Sequence, residues 1–222
     1  MLVNADFSRW ASVTPREYHW VASPQAGVER VMLDRVGDED ARATSIVRYA
    51  PQSFFPRHEH PDGEEILVLS GTFSEGDSHY PAGWYLRNPP GSSHCPSSRE
   101  GAVIFVKLRQ MLPSESRTVR IDTRDPASWR RWHDREICPL FSNATEHVLL
   151  LRLNPGEAVP PGAARSAELL VLDGDVVIGS RSYERGSWAR SPVGERPVIA
   201  AGTGGAMLYL KTDGAIDWTI EA

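Results

Sequence analysis

The stretch HEHPDGEEILVLSG, residues 58–71, places two histidines and a carboxylate where they can reach one point. His58 and His60 are two residues apart, and side chains two apart in a strand point to the same face. Glu64 shares their even parity. A one-residue bulge before it would bring Glu65 to that face instead, because an extra residue reverses the alternation. The pattern predicts one site for both histidines and one glutamate, with Glu64 favoured.

A second stretch, GWYLRNPPGSSH at residues 83–94, adds His94 on a separate segment after glycine-marked turns. Three imidazoles with one carboxylate suit Fe(II), Mn, Ni, Cu or Zn, whereas Ca and Mg prefer shells made of oxygen. We therefore predict one divalent transition metal, with zinc favoured and iron, nickel or manganese as alternatives. The predicted metal ligands are His58, His60, Glu64 and His94.

Three aromatic residues near these segments are candidates for lining a pocket around the metal. They are Phe54, Phe73 and Tyr85, and packing in the core is the alternative role for each. We find no Ser-His-Asp order, phosphate loop or dinucleotide fingerprint in the sequence. The sequence therefore assigns no catalytic residue.

Four segments of the first half recur in the same order in the second half. The pairs are 44–60 with 147–163, 63–71 with 166–174, 80–91 with 183–194, and 102–107 with 206–211. Four matches in one order indicate a tandem duplication of one unit.

The second copy lacks the metal-binding residue types. His58 and His60 fall opposite Gly162 and Ala164, Glu64 opposite Ala167, and His94 opposite Pro197. The glycines and apolar strands remain. We therefore predict that the second unit is a metal-free structural partner or a pocket for an organic ligand.

Each repeat contains short apolar or β-branched runs bounded by turn residues, with 18 Gly and 17 Pro in the chain. No helical periodicity is sustained, so we predict an all-β sandwich or barrel. The predicted domains are 1–113, which binds the metal, and 114–222. Residues 110–142 are interpreted as a polar, irregular connection with one strand at Arg117–Ile121.

Composition excludes several classes of function. A net charge of -5 argues against a nucleic-acid-binding surface, which usually needs a concentrated basic face. We find neither an apolar run long enough for a membrane helix nor a signal-peptide pattern. Cys95 and Cys138 are far apart and form no CxxC, so we expect no disulfide framework and a cytoplasmic protein.

The two histidine-bearing stretches resemble the paired motifs of the cupin superfamily. The first motif is matched by His58, His60, Glu64 and Gly71, and the second by Gly83, Pro89, Gly91 and His94. Gln52 stands in place of the first motif's leading glycine, and Ser98 in place of the second motif's asparagine. The resemblance implies two tandem cupin barrels, each a double-stranded β-helix or jelly roll.

More narrowly, residues 40–110 resemble the cupin half of the ChrR anti-sigma factor family. That resemblance implies a metal held by the four predicted ligands and a role in bacterial stress-responsive transcription. The ChrR family's helical zinc domain, which carries a CxxC, has no counterpart in this sequence. The chain therefore resembles the sensing half of such a factor without the half that grips the sigma factor.

Two functions from different classes follow. The first is a ligand- or stress-responsive regulatory module, anti-sigma-factor-like, whose partner is a sigma factor or another regulatory protein. The second is a non-haem metal-dependent dioxygenase acting on a small diketone or related carbonyl compound. A small-molecule ligand is compatible with both functions. A homodimer is also compatible with both, because barrels of this kind often pair their exposed strand edges with another subunit.

Overall fold

The structure is a computed structural model that describes residues 1–38, 40–132, 135–160, 166–195 and 197–213. The strands up to Asp122 are β1 (Leu2–Val3), β2 (Ala11–Val13), β3 (Val21–Ala22), β4 (Val28–Val36), β5 (Arg42–Tyr49), β6 (Ser53–Phe54), β7 (His58–His60), β8 (Glu64–Glu75), β9 (Ser78–Pro81), β10 (Trp84–Asn88), β11 (Ser92–His94), β12 (Pro96–Ser98), β13 (Ala102–Leu108) and β14 (Val119–Asp122). The later strands are β15 (Arg130–Trp132), β16 (Arg135–Ser142), β17 (Glu146–Leu153), β18 (Ala167–Ile178), β19 (Arg181–Glu184), β20 (Trp188–Arg190) and β21 (Ile199–Asp213). Short 3-10 helices cover Pro15–Glu17 and Pro126–Ser128. The predicted all-β class is confirmed.

The chain forms two compact units that do not divide at the predicted residue. The first contains Met1–Ala5 and His19–Arg124, and the second contains Asp6–Tyr18 and Asp125–Ala222. The prediction of 1–113 and 114–222 missed two exchanged strands. β2 pairs with β20 of the second unit, and β14 pairs with β10 of the first. Each unit thus takes one edge strand from the segment that precedes the other repeat.

Both units arrange their main sheet in the same order. In the first unit the order is β4-β5-β13-β8-β10-β14, and in the second it is β16-β17-β21-β18-β20-β2. The strand pairs in both are antiparallel. The duplication seen in the sequence is therefore a duplication of topology as well.

The core of the first unit follows from side-chain alternation. Ile66, Val68, Leu86, Ile104 and Val106 are buried in one cluster on the inner face of β8, β10 and β13. The apolar runs in these strands supply the burial that drives each sheet to fold back on itself. A separate cluster fills the second unit around Leu151, Val171 and Leu208.

The repeated glycines mark backbone close approaches. Gly71 has a φ of +68°, and a Cβ added there would lie 2.0 Å from the carbonyl oxygen of Gly101. Gly174, its counterpart, has a φ of +67° and the same 2.0 Å approach to Gly205. Only glycine fits such a position, since its lack of a Cβ permits both the left-handed backbone and the close contact.

The connection between the repeats is more ordered than the sequence interpretation of 110–142 suggested. It contains β14, β15 and the long strand β16, which buries Ile137, Cys138, Leu140 and Phe141. Proline, charged residues and tryptophan obscured this pattern. No helix in the described part of the chain has the length and apolar character of a membrane span.

Candidate metal centre

A separate two-stranded sheet brings the histidines together. β7 and β11 pair antiparallel, with His94 opposite His58 and Ser92 opposite His60. The carbonyl oxygen of His60 accepts hydrogen bonds from the backbone N–H groups of Gly63 and Gly91. Gly63 therefore fixes the turn that follows β7, and Gly91 fixes the turn that precedes β11.

The three imidazoles meet at one point. Ring centroids are 4.7 Å apart for His58 and His60, and 4.8 Å apart for His94 and each of the other two. The Nε2 atoms of His60 and His94 are 2.9 Å apart. Two imidazole nitrogens at this distance share either a proton or a metal.

The carboxylate of Glu64 closes the group. Its Oε2 lies 3.5 Å from His60 Nε2 and 3.4 Å from His94 Nε2. Ligand atoms about 2.1 Å from one ion are about 3.0 Å apart at a right angle and about 3.4 Å apart at the tetrahedral angle. The donor spacing therefore fits a first-row transition metal, and the donor types suit the same class.

Alternation decides between the two neighbouring glutamates. Glu65 points to the opposite face of β8, where its Oε2 lies 3.2 Å from Nη1 of the buried Arg87. Glu64 faces the histidines and accepts a hydrogen bond from Asn88 Nδ2 at 3.0 Å. The structure thus brings together all four residues predicted as ligands: His58, His60, Glu64 and His94.

Hydrogen bonds to the far ring nitrogens orient two of the histidines. His58 Nδ1 lies 2.8 Å from the carbonyl oxygen of Pro56, and His94 Nδ1 lies 2.6 Å from Glu75 Oε1. In both cases Nδ1 is the donor that the oxygen requires, which leaves Nε2 as the free lone pair. Metal-binding histidines in proteins are commonly held this way.

Glu75 belongs to a network that the sequence did not indicate. Asn88 Nδ2 donates to Glu75 Oε1 at 2.9 Å, and Arg120 Nη2 lies 2.8 Å from Glu75 Oε2. Arg120 Nη2 also donates to Asn88 Oδ1 at 2.6 Å. Arg120 comes from β14, so a strand beyond the predicted domain boundary supports His94 through Glu75.

The network shifts the pKa of several groups. Burial lowers the pKa of His60, and the negative charge of Glu64 offsets this only in part. Burial alone would also lower the pKa of His94, but its hydrogen bond to Glu75 and the charges of Glu64 and Glu75 raise it overall. Burial would raise the pKa of Glu75, yet its hydrogen bond with His94 and the charge of Arg120 lower it overall. Glu75 is thus a carboxylate that holds a proton on Nδ1 of His94.

Three of the four donors, His58, His60 and Glu64, line a cavity of about 420 Å³ inside the first unit. The wall beside His58, His60 and Glu64 includes Phe55 and Tyr49. Burial, followed by the charges of Glu64 and Glu75, raises the pKa of Tyr49, so its hydroxyl remains a hydrogen-bond donor. The volume is within the usual range of about 300–1,000 Å³ for small-molecule sites.

The three aromatics predicted to line the pocket do not line this cavity. Phe54 is 57% exposed, and its neighbour Phe55 takes the inward position. Phe73 is buried in the core, with its ring edge-on to Tyr49 and its centroid 6.3 Å from that of the His94 ring. Tyr85 pairs with Leu67, and alternation places it on the sheet face opposite the inner cluster. The strand boundaries that set these orientations were not readable from the sequence.

The side chains that could bind a metal ion lie close together in the first unit. Among the described residues, two groups of three have donor atoms within 4.8 Å of one another: His58, His60 and His94, and Glu64, Glu75 and His94. In the second unit Ala167 begins β18 at the place of Glu64. Gly162 and Ala164, aligned with the HxH pair, lie outside the described residues.

Comparison with known sequences gives one partial match. The model of the ChrR Cupin-like domain matches residues 8–112. No curated protein matches the sequence.

Solved structures resemble the whole chain. A proposed dioxygenase from Nostoc punctiforme has a TM-score of 0.76 at 15% identity, covering 97% of this chain and 87% of that one. The chain has the cupin fold. A cupin 2 conserved barrel domain protein from Leptotrichia buccalis gives 0.59 at 12% identity, covering 87% of this chain and 92% of that one. A pirin from Escherichia coli in complex with nickel(II) gives 0.65 at 13% identity, covering 93% and 100%. The family model and these structural neighbours together support the cupin superfamily.

Proposed function

We propose that this cupin is a metal-dependent, ligand-responsive regulatory module, a bicupin of the ChrR type. The observation that carries the proposal is the convergence of His58, His60, Glu64 and His94, three of which line a cavity. The match of the ChrR Cupin-like model to residues 8–112 supports the regulatory class. The duplicated strand order supports the bicupin assignment.

The mechanism depends on what the donor residues hold together. When bound, a divalent metal would supply a Lewis-acid or redox centre that responds to a ligand or an oxidant. His58 and His60 on β7, Glu64 on β8 and His94 on β11 would be tied to one point. Without the ion, these segments keep only their own hydrogen bonds, so their positions become less restricted.

The outer network extends this effect beyond the donors. A change at His94 reaches Glu75 through the 2.6 Å hydrogen bond, and Glu75 contacts Arg120 at 2.8 Å. Arg120 lies on β14, the last strand of the first unit before the chain enters the second unit at Asp125. The state of the metal site is thereby coupled to the position of β14.

The proposed partner is a sigma factor or another regulatory protein, and the proposed compartment is the cytoplasm. Free cysteines support that compartment, since Cys95 is exposed and Cys138 is buried and neither forms a disulfide. The proposal includes neither nucleic-acid nor membrane binding.

The test measures partner binding with and without the metal. Protein purified without added metal is analysed for its elements, and one aliquot is then stripped with a chelator. Binding to the sigma factors of the source organism is compared between the loaded and stripped forms. Metal-dependent binding of one of them is expected. Equal stability and equal binding of both forms would overturn the proposal.

A second candidate function is a metal-dependent dioxygenase for a small diketone or a related carbonyl compound. The cavity beside the donor group favours it, since a substrate could reach the metal from that side. The fold similarity to a proposed dioxygenase supports the same class. Anaerobic loading with Fe(II), followed by oxygen uptake with a panel of diketones, separates the two. Bound iron with turnover favours the enzyme, and zinc without turnover favours the regulator.

A further inference from the structure

One arginine in the cavity has no counter-ion. Arg30 lies on β4 and lines the same cavity as His58 and His60. Its Nε is buried and has no hydrogen-bond partner. Its guanidinium forms no ion pair with any residue in the part of the chain that the structure describes.

The other arginines of the cavity wall contrast with it. Arg109 forms ion pairs of 2.7 Å with Asp40 and 2.8 Å with Asp62. Arg35 donates to the backbone carbonyl of Asp38. Their charges are directed at protein groups, whereas the charge of Arg30 is directed at none of the described residues. Removing a charged group from water without a partner costs free energy, so a bound anion would stabilise Arg30 in this position.

Strand alternation explains why Arg30 faces inward. Val28, two residues earlier on β4, belongs to the inner cluster, so Arg30 points to the same side. Its cross-strand partner Val47 also lines the cavity. Ile104 and Val106 of β13 complete an apolar wall next to the Arg30 guanidinium.

We propose that Arg30 binds the carboxylate of a small organic acid with an apolar body, held in the cavity beside the metal centre. One planar guanidinium matches one carboxylate through two parallel hydrogen bonds, and its single positive charge balances a carboxylate monoanion but only half the charge of a phosphate dianion. The apolar wall fits a hydrocarbon or aryl body. The inference rests on the proposed function, because it names the class of ligand to which that site would respond.

The first experiment compares matched probes on the full chain. Benzoate and hexanoate are titrated by calorimetry against benzamide and hexanamide, which have the same bodies without the charge. Metal-loaded and metal-free forms are both measured, because a carboxylate can also bind the metal itself. Binding of the acids at least tenfold tighter than the amides is expected in the metal-free form as well.

The second experiment changes the charge. Arg30→Gln should weaken acid binding at least tenfold and leave amide binding unchanged, and Arg30→Lys should recover part of the loss. Arg48→Gln is the matched control, since Arg48 on the neighbouring strand is outside the cavity wall and pairs with Glu29 at 2.6 Å. It should bind the acids as the wild type does.

The outcomes separate the inference from the proposed function. If the protein binds metal but prefers neither acid over its amide, the anion site does not exist and the regulatory proposal stands. If acid binding is equal in the wild type and in folded Arg30→Lys and Arg30→Gln variants, the assignment to Arg30 is wrong. If partner binding ignores the metal while Arg30 still selects acids, only the regulatory proposal fails.

Discussion

The two units share a framework but differ at the places where chemistry would occur. Both have the same strand order, and Gly71 and Gly174 make the same close backbone approach. The first unit carries three histidines and a glutamate whose donor atoms lie close together. In the second unit, β18, the equivalent of β8, begins with Ala167 in place of that glutamate. The comparison shows that this fold is maintained by glycines and apolar strands, independently of the donor residues.

The difference extends to the supporting residues. In the first unit Asn88 donates to Glu64 through its side chain at 3.0 Å. In the second, Ser191 stands at the place of Asn88, and its backbone N–H and its hydroxyl bond the backbone of Ala167 instead. Ile178 ends β18 where Glu75 ends β8. The second unit has thus replaced a polar network with local backbone hydrogen bonds and apolar burial.

Removing a donor histidine should have the largest effect. His60→Ala and His94→Ala should each weaken metal binding by at least about 1,000-fold, since loss of supporting residues alone typically costs 10–100-fold. Titration with zinc and elemental analysis measure this. His147→Ala is the control from the second unit, where His147 Nδ1 lies 2.7 Å from Ser142 Oγ. A comparable loss in that variant would remove the distinction between the units.

A core substitution in the second unit should lower the stability of the protein without changing its metal binding. Leu208 is completely buried, so Leu208→Ala should lower the free energy of unfolding by about 3 kcal/mol. Metal stoichiometry at a temperature where the variant is folded should remain that of the wild type. Chemical denaturation and elemental analysis of the same sample check both statements. Loss of the metal from the folded variant would contradict the separation of framework and site.

Weakening the outer network should have an intermediate effect. Glu75→Gln and Arg120→Met should each reduce metal affinity by about 10–100-fold, because Glu75 orients His94 and Arg120 holds the carboxylate of Glu75 in place. Arg152→Met is the matched control, since Arg152 of the second unit forms an exposed ion pair with Glu136 at 2.7 Å. Calorimetric titration separates the three variants. Unchanged affinity in Arg120→Met would show that β14 is not coupled to the site.

The smallest predicted effect concerns one backbone position in each unit. Gln52 has a φ of +60°, and Gly156, three residues beyond β17 as Gln52 is beyond β5, has a φ of +72°. A left-handed backbone costs a side-chain-bearing residue about 1 kcal/mol. Gln52→Gly should therefore raise the free energy of unfolding by about 1 kcal/mol, and Gly156→Gln should lower it by a similar amount. Denaturant titration tests both, and changes of equal sign would contradict the equivalence.

The sequence predicted the features that depend on the alternation of side chains along a strand. The parity of His58, His60 and Glu64 placed them on one face because they lie within one short stretch, and the structure shows the same arrangement. The glycines that punctuate each repeat likewise predicted the all-β class. Local rules were sufficient wherever neighbours in sequence are also neighbours in space.

Strand pairing between residues distant in sequence limited what could be predicted. Glu75 and Arg120 support His94 from 19 and 26 residues away, and nothing in their own segments indicates that β8 and β14 converge on it. The exchanged strands β2 and β14 displaced the predicted boundary for the same reason. The inward position of Phe55 rather than Phe54 depended on a two-residue strand, too short for a periodic signal.

The most direct test of the central claim is a crystal structure of the zinc-loaded protein with anomalous data at the zinc edge. We predict one strong anomalous peak within bonding distance of His58, His60, Glu64 and His94, and none in the second unit. A peak of equal height in the second unit, or no peak at the histidine group in zinc-saturated crystals, would contradict the account.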